Sequence, residues 1–318
     1  MKIVILERNS VGTDVSVEPL NAYGEVTVYG NSTADEVAER VKDAEIIIAN
    51  KSPLNRDTLK DASKVKLICE FATGYDNVDL AYCNERGIKV ANVANYSTDA
   101  VAQHTFALCL YVLNKLSHYD NYVKSGAYGA QNFFSNFDLP FTELAGKTWG
   151  IVGMGHIGRK VAEIASAFGC NVIFYSPTGN STCTEYQKVD FDTLLEESDI
   201  LSLHCPLSDL TRNLIDLDAL KKMKRTAILI NVARGPVVND VDLYAALTEH
   251  YIAAAGLDVT STEPMQSSNP LSTFKDSNRL IITPHMAWAS TEARNRCVSE
   301  ACKNIEAFLR GEERNIVN

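Results

Sequence analysis

The sequence predicts an α/β fold with two doubly wound domains, each built on a parallel sheet. Three observations carry that prediction. Short apolar runs alternate with amphipathic helical stretches along nearly the whole chain, which is the pattern of βαβ units. At 318 residues the chain is longer than one compact core usually needs. A long helical stretch interrupts the alternation from 97 to about 123, and a second series of runs begins at Lys147.

The first series of apolar runs lies at 3–6, 26–29, 45–49, 66–69 and 88–90. The first of these runs is apolar throughout, as a strand covered on both faces must be. Between them, Val37, Ala38 and Val41 recur at helical spacing within 33–42. The long stretch reads as a single helix with Ser97 or Thr98 as its cap. Its broad apolar face comprises Ala100, Val101, His104, Leu108, Tyr111 and Val112. The second series of strands is expected at 148–152, 171–175, 200–204, 227–231, 253–257 and 280–283. A last helix over 291–309 precedes the charged tail Gly311-Glu312-Glu313-Arg314.

Composition narrows the function classes. Hydrophobic residues make up 46% and charged residues 22%, an ordinary globular balance. The net charge of -10 repels a polyanion on average, so nucleic acid is not an expected partner. The amino-terminal apolar run at 3–6 is too short for a signal peptide, and a membrane helix needs ~20 apolar residues. A cytoplasmic protein with no membrane partner is expected. The cysteines at 69, 83, 109, 170, 183, 205, 297 and 302 form no Cys-x-x-Cys pair and sit mostly inside apolar runs. Free thiols and no metal site follow.

The strongest local motif is Gly153-Met154-Gly155-His156-Ile157-Gly158. It follows the run at 148–152 and opens an amphipathic helix, with another strand after it. A pyrophosphate needs close backbone approach and free amides at a helix N-terminus, so small residues belong at those places. In this setting the motif points to a dinucleotide. The next strand ends in Tyr175-Ser176-Pro177-Thr178-Gly179, with Ser176 where an acidic residue ordinarily receives the ribose hydroxyls. No carboxylate there repels a 2′-phosphate, and no adjacent cation attracts one. Dual use of NAD and NADP is therefore expected.

Three further strand ends carry chemistry-bearing residues: Arg234 after 227–231, Asp258 and Glu263 after 253–257, and His285 after 280–283. Singly each has a bland reading, as a surface ion pair, a loop charge or a packed histidine. Gathered at strand ends downstream of a dinucleotide motif, they point to one shared site.

Together with Ala72-Thr73-Gly74-Tyr75-Asp76-Asn77-Val78-Asp79, His204-Cys205-Pro206-Leu207, Asn231-Val232-Ala233-Arg234-Gly235 and Thr283-Pro284-His285, these motifs resemble the D-isomer-specific 2-hydroxyacid dehydrogenases over nearly the whole chain. The segments Tyr96-Ser97-Thr98-Asp99-Ala100-Val101-Ala102-Gln103-His104-Thr105 and His285-Met286-Ala287-Trp288-Ala289-Ser290 resemble the glycerate dehydrogenase (hydroxypyruvate reductase) branch. Ser176 departs from the family's usual acidic residue.

The resemblance implies a Rossmann cofactor domain (99–289) inserted in a flavodoxin-like substrate domain (1–98 plus 290–318), with a cleft between the two and a homodimer built on the long helix. It implies catalytic roles for Arg234, Glu263 and His285. It places Gly153, Met154, Gly155, His156, Ile157, Gly158, Ser176, Cys205, Pro206, Val232, Ala233, Arg234, Asp258 and His285 against NAD or NADP. Thr73 and Gly74, with Arg234 and His285, are implied to hold the substrate; a helix start capped by Asp76 is compatible with that role.

Residue chemistry agrees with these roles. A guanidinium holds a carboxylate in a planar fork. A charged imidazole donates a proton to a developing alkoxide, and a carboxylate on its far nitrogen orients it and favours the charged form. The reaction implied is hydride transfer between a nicotinamide and a small 2-keto acid/D-2-hydroxy acid pair of the hydroxypyruvate or glyoxylate type. A dinucleotide-sensing corepressor and a formate- or phosphite-type dehydrogenase are the rivals. His104 reads more simply as a packed residue and Lys51 as a solvated one, His156 equally as a phosphate contact or an exposed turn residue, and Phe133, Phe134, Phe137 and Phe141 as subunit or domain packing.

Overall fold

A computed structural model describes the whole chain, Met1–Asn318. The chain divides into two compact units, Met1–Ser97 with Trp288–Asn318, and Thr98–Ala287.

In the first unit, strands β1 (Lys2–Ile5), β2 (Glu25–Val28), β3 (Ile46–Ala49), β4 (Leu67–Glu70) and β5 (Lys89–Ala91) form a wholly parallel sheet in the order β2-β1-β3-β4-β5. This is the flavodoxin-like doubly wound order. Helices α1 (Ala34–Val41), α2 (Arg56–Leu59) and α3 (Leu80–Arg86) connect the strands. Every residue of β3 and β4 is buried, whereas β2 lies at the sheet edge and is largely exposed.

β4 ends on Glu70, whose side chain is fully enclosed. Its Oε1 accepts a hydrogen bond from Asn77 Nδ2 at 3.2 Å, and its Oε2 has no partner. Burial pushes this carboxyl up to about 8. The neighbouring carboxylate of Glu7 gathers the amides of Asn50, Lys51 and Ser52 at 2.8, 2.8 and 2.9 Å. Lys51 thus lends its backbone to this loop while its side chain stays exposed.

The second unit contains α4 (Thr98–Leu113), α5 (Leu116–Lys124), α6 (Ala127–Ala130), β6 (Thr148–Val152), α7 (His156–Ala167), β7 (Asn171–Tyr175), β8 (Gln187–Lys188), α8 (Phe191–Glu197), β9 (Ile200–Leu203), α9 (Leu217–Lys222), β10 (Ile228–Asn231), α10 (Asp240–Thr248), β11 (Ala254–Leu257) and β12 (Leu280–Ile282). Its sheet is parallel throughout, in the order β12-β11-β10-β9-β6-β7-β8. This is the Rossmann order with one further strand, and the connections reverse direction between β6 and β9. Helix α11 (Thr291–Leu309) returns to the first unit and buries Cys297, Val298, Ala301, Cys302 and Ile305.

Two local expectations are corrected. The stretch from 97 to 123 is two helices, because Lys115 adopts a left-handed backbone (φ 54) between α4 and α5. Asn278 stabilises the break from a distant loop: its Oδ1 accepts the His118 amide at 3.1 Å and its carbonyl accepts Lys115 Nζ at 3.3 Å. Helix α3 is capped by Asp79, which accepts from the Tyr82 amide at 2.9 Å, and Asp76 lies upstream of that helix. All eight cysteines are free and buried. No helix is long and apolar enough to cross a membrane.

Candidate active site

The glycine motif occupies the turn between β6 and α7, at the reversal point of the sheet. Gly153 has φ 92, and a Cβ there would lie 2.9 Å from the Cys205 amide nitrogen. A Cβ on Gly158 would stand 2.2 Å from the Gly153 carbonyl oxygen. Both glycines therefore permit backbone contact. Gly155 is different: it is exposed, and a Cβ there meets nothing within 4 Å. It is the N-cap of α7, supplies no capping side chain, and is followed by no acidic residue in the first turn. The leading amides of the helix have no intrahelical acceptors, and no side chain at Gly155 covers them, which fits a pyrophosphate. Met154 is turned into the core, His156 is exposed and Ile157 half-buried.

Cys205 follows β9 and abuts this turn through the Gly153 contact, with Pro206 next in the chain. Ser202 accepts the Trp149 indole N–H at 2.9 Å, and its Oγ lies 3.0 Å from His204 Nε2. Burial pushes His204 down to about 3, so it is neutral.

Ser176 is buried at the end of β7, in a turn closed by the Gly179 amide on its carbonyl at 3.0 Å. Two cations distant in sequence fold toward this segment. Lys188 Nζ donates to the Gly179 carbonyl at 2.8 Å. Arg159 reaches Glu185 Oε2 at 3.1 Å and Thr182 Oγ1 at 3.2 Å. The Cys183 thiol, backbone amides and Arg159 hold the Glu185 carboxyl down to about 2.

The register of β10, β11 and β12 aligns Asn231, Leu257 and Ile282 along the carboxyl edge of the sheet. The residues that follow these three carry the candidate chemistry. Asn231, fully buried, receives the Ala233 amide at 3.0 Å and donates to the Arg234 carbonyl at 3.1 Å. That clamp shapes the turn presenting Arg234, with Val232 and Ala233 inside it. Arg234 Nη1 also donates to the Ala233 carbonyl at 2.9 Å. The next residue, Gly235, presses on the loop after β11: a Cβ there would stand 1.7 Å from the Thr260 carbonyl oxygen.

Glu263 closes that loop. Its Oε2 accepts a hydrogen bond from His285 Nδ1 at 2.7 Å, and its Oε1 receives the Thr260 amide at 3.3 Å. His285 adopts the left-handed region (φ 52), which residues other than glycine seldom enter. The surrounding bonds hold it there. Its amide donates to the Asp258 carbonyl at 2.8 Å. The buried Asp258 carboxylate receives Thr283 Oγ1 at 2.6 Å and the Met286 and Ala287 amides at 2.9 and 2.8 Å. His104 Nε2 lies 2.9 Å from Thr283 Oγ1, so this helix residue braces the histidine's turn. Periodicity had marked His104 only as an apolar-face position.

Thr73 and Gly74 belong to the first unit, just past β4. Thr73 Oγ1 donates to the Val93 carbonyl at 3.0 Å, and Asn92 Nδ2 donates to the Thr73 carbonyl at 2.7 Å. These bonds fasten the segment to the loop after β5. No group of three or more His, Cys, Asp or Glu is placed to hold a metal ion.

Residues 106–287 match the family pattern described as D-isomer specific 2-hydroxyacid dehydrogenase, NAD binding domain. The chain belongs to this family. Two relatives extend the likeness across the full length. The hydroxypyruvate reductase of Blautia hydrogenotrophica is 37% identical over 100% of both chains. The glycerate dehydrogenase of Methylorubrum extorquens is 39% identical over 99% of this chain and 98% of its own. Among solved structures, an acyclic imino acid reductase in complex with NADPH and D-Arg superposes with a TM-score of 0.88, at 30% identity over 100% of both chains. The dehydrogenase therefore carries the NAD-binding domain that its glycine turn predicts, and the expected likeness to the hydroxypyruvate reductase and glycerate dehydrogenase branch is borne out.

Proposed function

We propose that this dehydrogenase reduces a small 2-keto acid of the hydroxypyruvate or glyoxylate type to the D-2-hydroxy acid, accepting both NADH and NADPH. The observation that carries the reading is the 2.7 Å contact between His285 Nδ1 and Glu263 Oε2, on strand ends neighbouring the turn of Arg234. The nicotinamide, when bound, supplies the hydride. Arg234 holds the substrate carboxylate and polarises the carbonyl, while the Thr73 and Gly74 amides form a second clamp. Glu263 accepts the hydrogen bond of His285 Nδ1–H, which keeps its proton, so that Nε2 donates the one proton the alkoxide needs as charge develops and the imidazole is left neutral. In oxidation the same nitrogen takes the proton back.

Gly153, Gly155, Gly158 and the first amides of α7 would hold the pyrophosphate. Met154, His156, Ile157, Cys205, Pro206, Val232, Ala233 and Asp258 would surround the remainder of the cofactor. Ser176 brings no charge against a 2′-phosphate, and Lys188 stands on its turn with Arg159 on the segment just after it, which favours acceptance of NADPH.

A homodimer fits the exposed aromatic segment after α6, where Phe133, Phe134 and Phe137 are 55%, 78% and 76% exposed. A cytoplasmic location accords with eight free cysteines.

The test is steady-state reduction of hydroxypyruvate, glyoxylate, pyruvate and larger keto acids, each with NADH and with NADPH. Highest kcat/KM on hydroxypyruvate or glyoxylate is expected. Cofactor binding without turnover would make the protein a sensor, and turnover of an imine in preference to any keto acid would also refute the reading.

A further inference from the structure

We propose that Asp240 is a positioning residue for the reaction, its carboxylate holding through Ser261 the loop that brings Glu263 to His285. The proposal rests on the reading of Glu263 and His285 as a coupled pair. Asp240 is the first residue of α10 and is buried. The helix does not need it as a cap, because Asn239 Oδ1 already receives the Val241 and Asp242 amides at 3.1 and 3.2 Å. Three donors instead converge on Asp240 Oδ2: the Ser261 amide at 3.1 Å, Ser261 Oγ at 2.6 Å and Asn269 Nδ2 at 2.6 Å. All three come from the segment after β11. Enclosing a carboxylate is unfavourable unless hydrogen bonds compensate it, and here the compensation ties two distant segments together.

The loop so held is the one that ends in Glu263. Inside it, the Thr260 amide donates to Glu263 Oε1 at 3.3 Å and Thr260 Oγ1 donates to the Thr262 carbonyl at 3.0 Å. On one side the Gly235 backbone presses on Thr260 and Ser261; on the other Asp240 draws in Ser261. The short segment 234–240 therefore carries the guanidinium at one end and, at the other, the anchor for the carboxylate that orients His285. Releasing that anchor frees Glu263 Oε2 to leave Nδ1 without touching Arg234.

The experiment measures pH profiles of kcat and kcat/KM for keto acid reduction. The proteins are wild type, D240N, S261A, S261T, E263Q and the double variant D240N/E263Q, each checked by thermal melting. The other titratable groups on the histidine's turn, Asp258 and His104, are the same in all of them. D240N is expected to lower kcat about 10-fold and to move the alkaline limb of the profile to lower pH, in the direction of E263Q but less far. KM for the keto acid should change little. S261A should fall between wild type and D240N, and S261T, which keeps the hydroxyl, should recover most of that loss. In the E263Q background D240N should add almost nothing, because its effect passes through Glu263. A limb unmoved in both D240N and S261A while E263Q shifts overturns the role of Asp240 alone, as do independent, multiplying losses in the double variant. A limb unmoved in E263Q overturns the coupled pair and this role with it.

Discussion

Replacing Glu70 by glutamine should change how the stability of the first unit depends on pH. The carboxyl lies wholly buried at the end of β4, and burial raises it from its usual 4.5 to about 8, helped by Glu7 and opposed by Asn77. A folded-state value above the unfolded one means that the folded chain binds the proton more tightly over that interval. Stability therefore falls as pH climbs from 4.5 through 8 and levels off above. Each pKa unit corresponds to about 1.4 kcal/mol, so the ceiling on the loss is about 5 kcal/mol. Relaxation and water entry around the ionised group reduce it, and at least ~2 kcal/mol should survive for a group this enclosed. In the Glu70→Gln variant the side chain is neutral at every pH and keeps the oxygen that accepts from Asn77. Its advantage over wild type should thus be small at pH 5 and grow by about 2–5 kcal/mol by pH 9. Urea titrations at pH 5, 7 and 9, read by amide exchange in peptides covering β3 and β4, report this unit apart from the other. Wild-type and variant curves that stay parallel across pH would refute the reasoning.

Arg234→Lys keeps a charge but loses the planar fork, and kcat/KM for the keto acid should fall at least ~10-fold; near-normal efficiency would remove Arg234 from the site. Gly235→Ala forces the turns of Arg234 and Glu263 apart at the Thr260 carbonyl, so kcat should fall on the order of 100-fold if the fold survives, which melting curves will check. Ser176→Asp places a carboxylate at the end of β7 and should shift the ratio of catalytic efficiencies toward NADH by about 10-fold; a wild type that already rejects NADPH as firmly would leave Ser176 a turn residue only.

Much of the fold was legible because most of its strands are short, largely apolar runs closed by turn residues. The runs at 148–152 and 171–175 became β6 and β7 with those limits, and other strand boundaries moved by about one residue. The single helix expected over 97–123 failed because its break is tertiary: Asn278, far along the chain, provides the acceptor that starts α5. Local pattern cannot show such a partner. Strand β8 was missed because its residues, Gln187 and Lys188, have no apolar signature. The motif residues of the candidate site were visible through their places at strand ends. The supports were not: Asp240, Ser261 and the brace from His104 are ordinary residues whose importance lies in which distant atoms they meet. Arg159 and Lys188 near Ser176 belong to the same class, since adjacency in sequence predicted no cation there.

The discontinuity of the first unit bears on the order in which the chain is made. Its five strands leave the ribosome first, yet α11, which packs on that unit and joins Asn304 Nδ2 to the Asn92 carbonyl at 2.8 Å, is translated only after the whole of Thr98–Ala287. Until then the apolar surface that receives Cys297, Ala301 and Ile305 has no cover, while the later-made unit already holds every element it requires. Synthesis thus delivers the second unit complete while the first is still open, and the nascent sheet of β1–β5 is the part of this protein most exposed to unwanted association or to a chaperone.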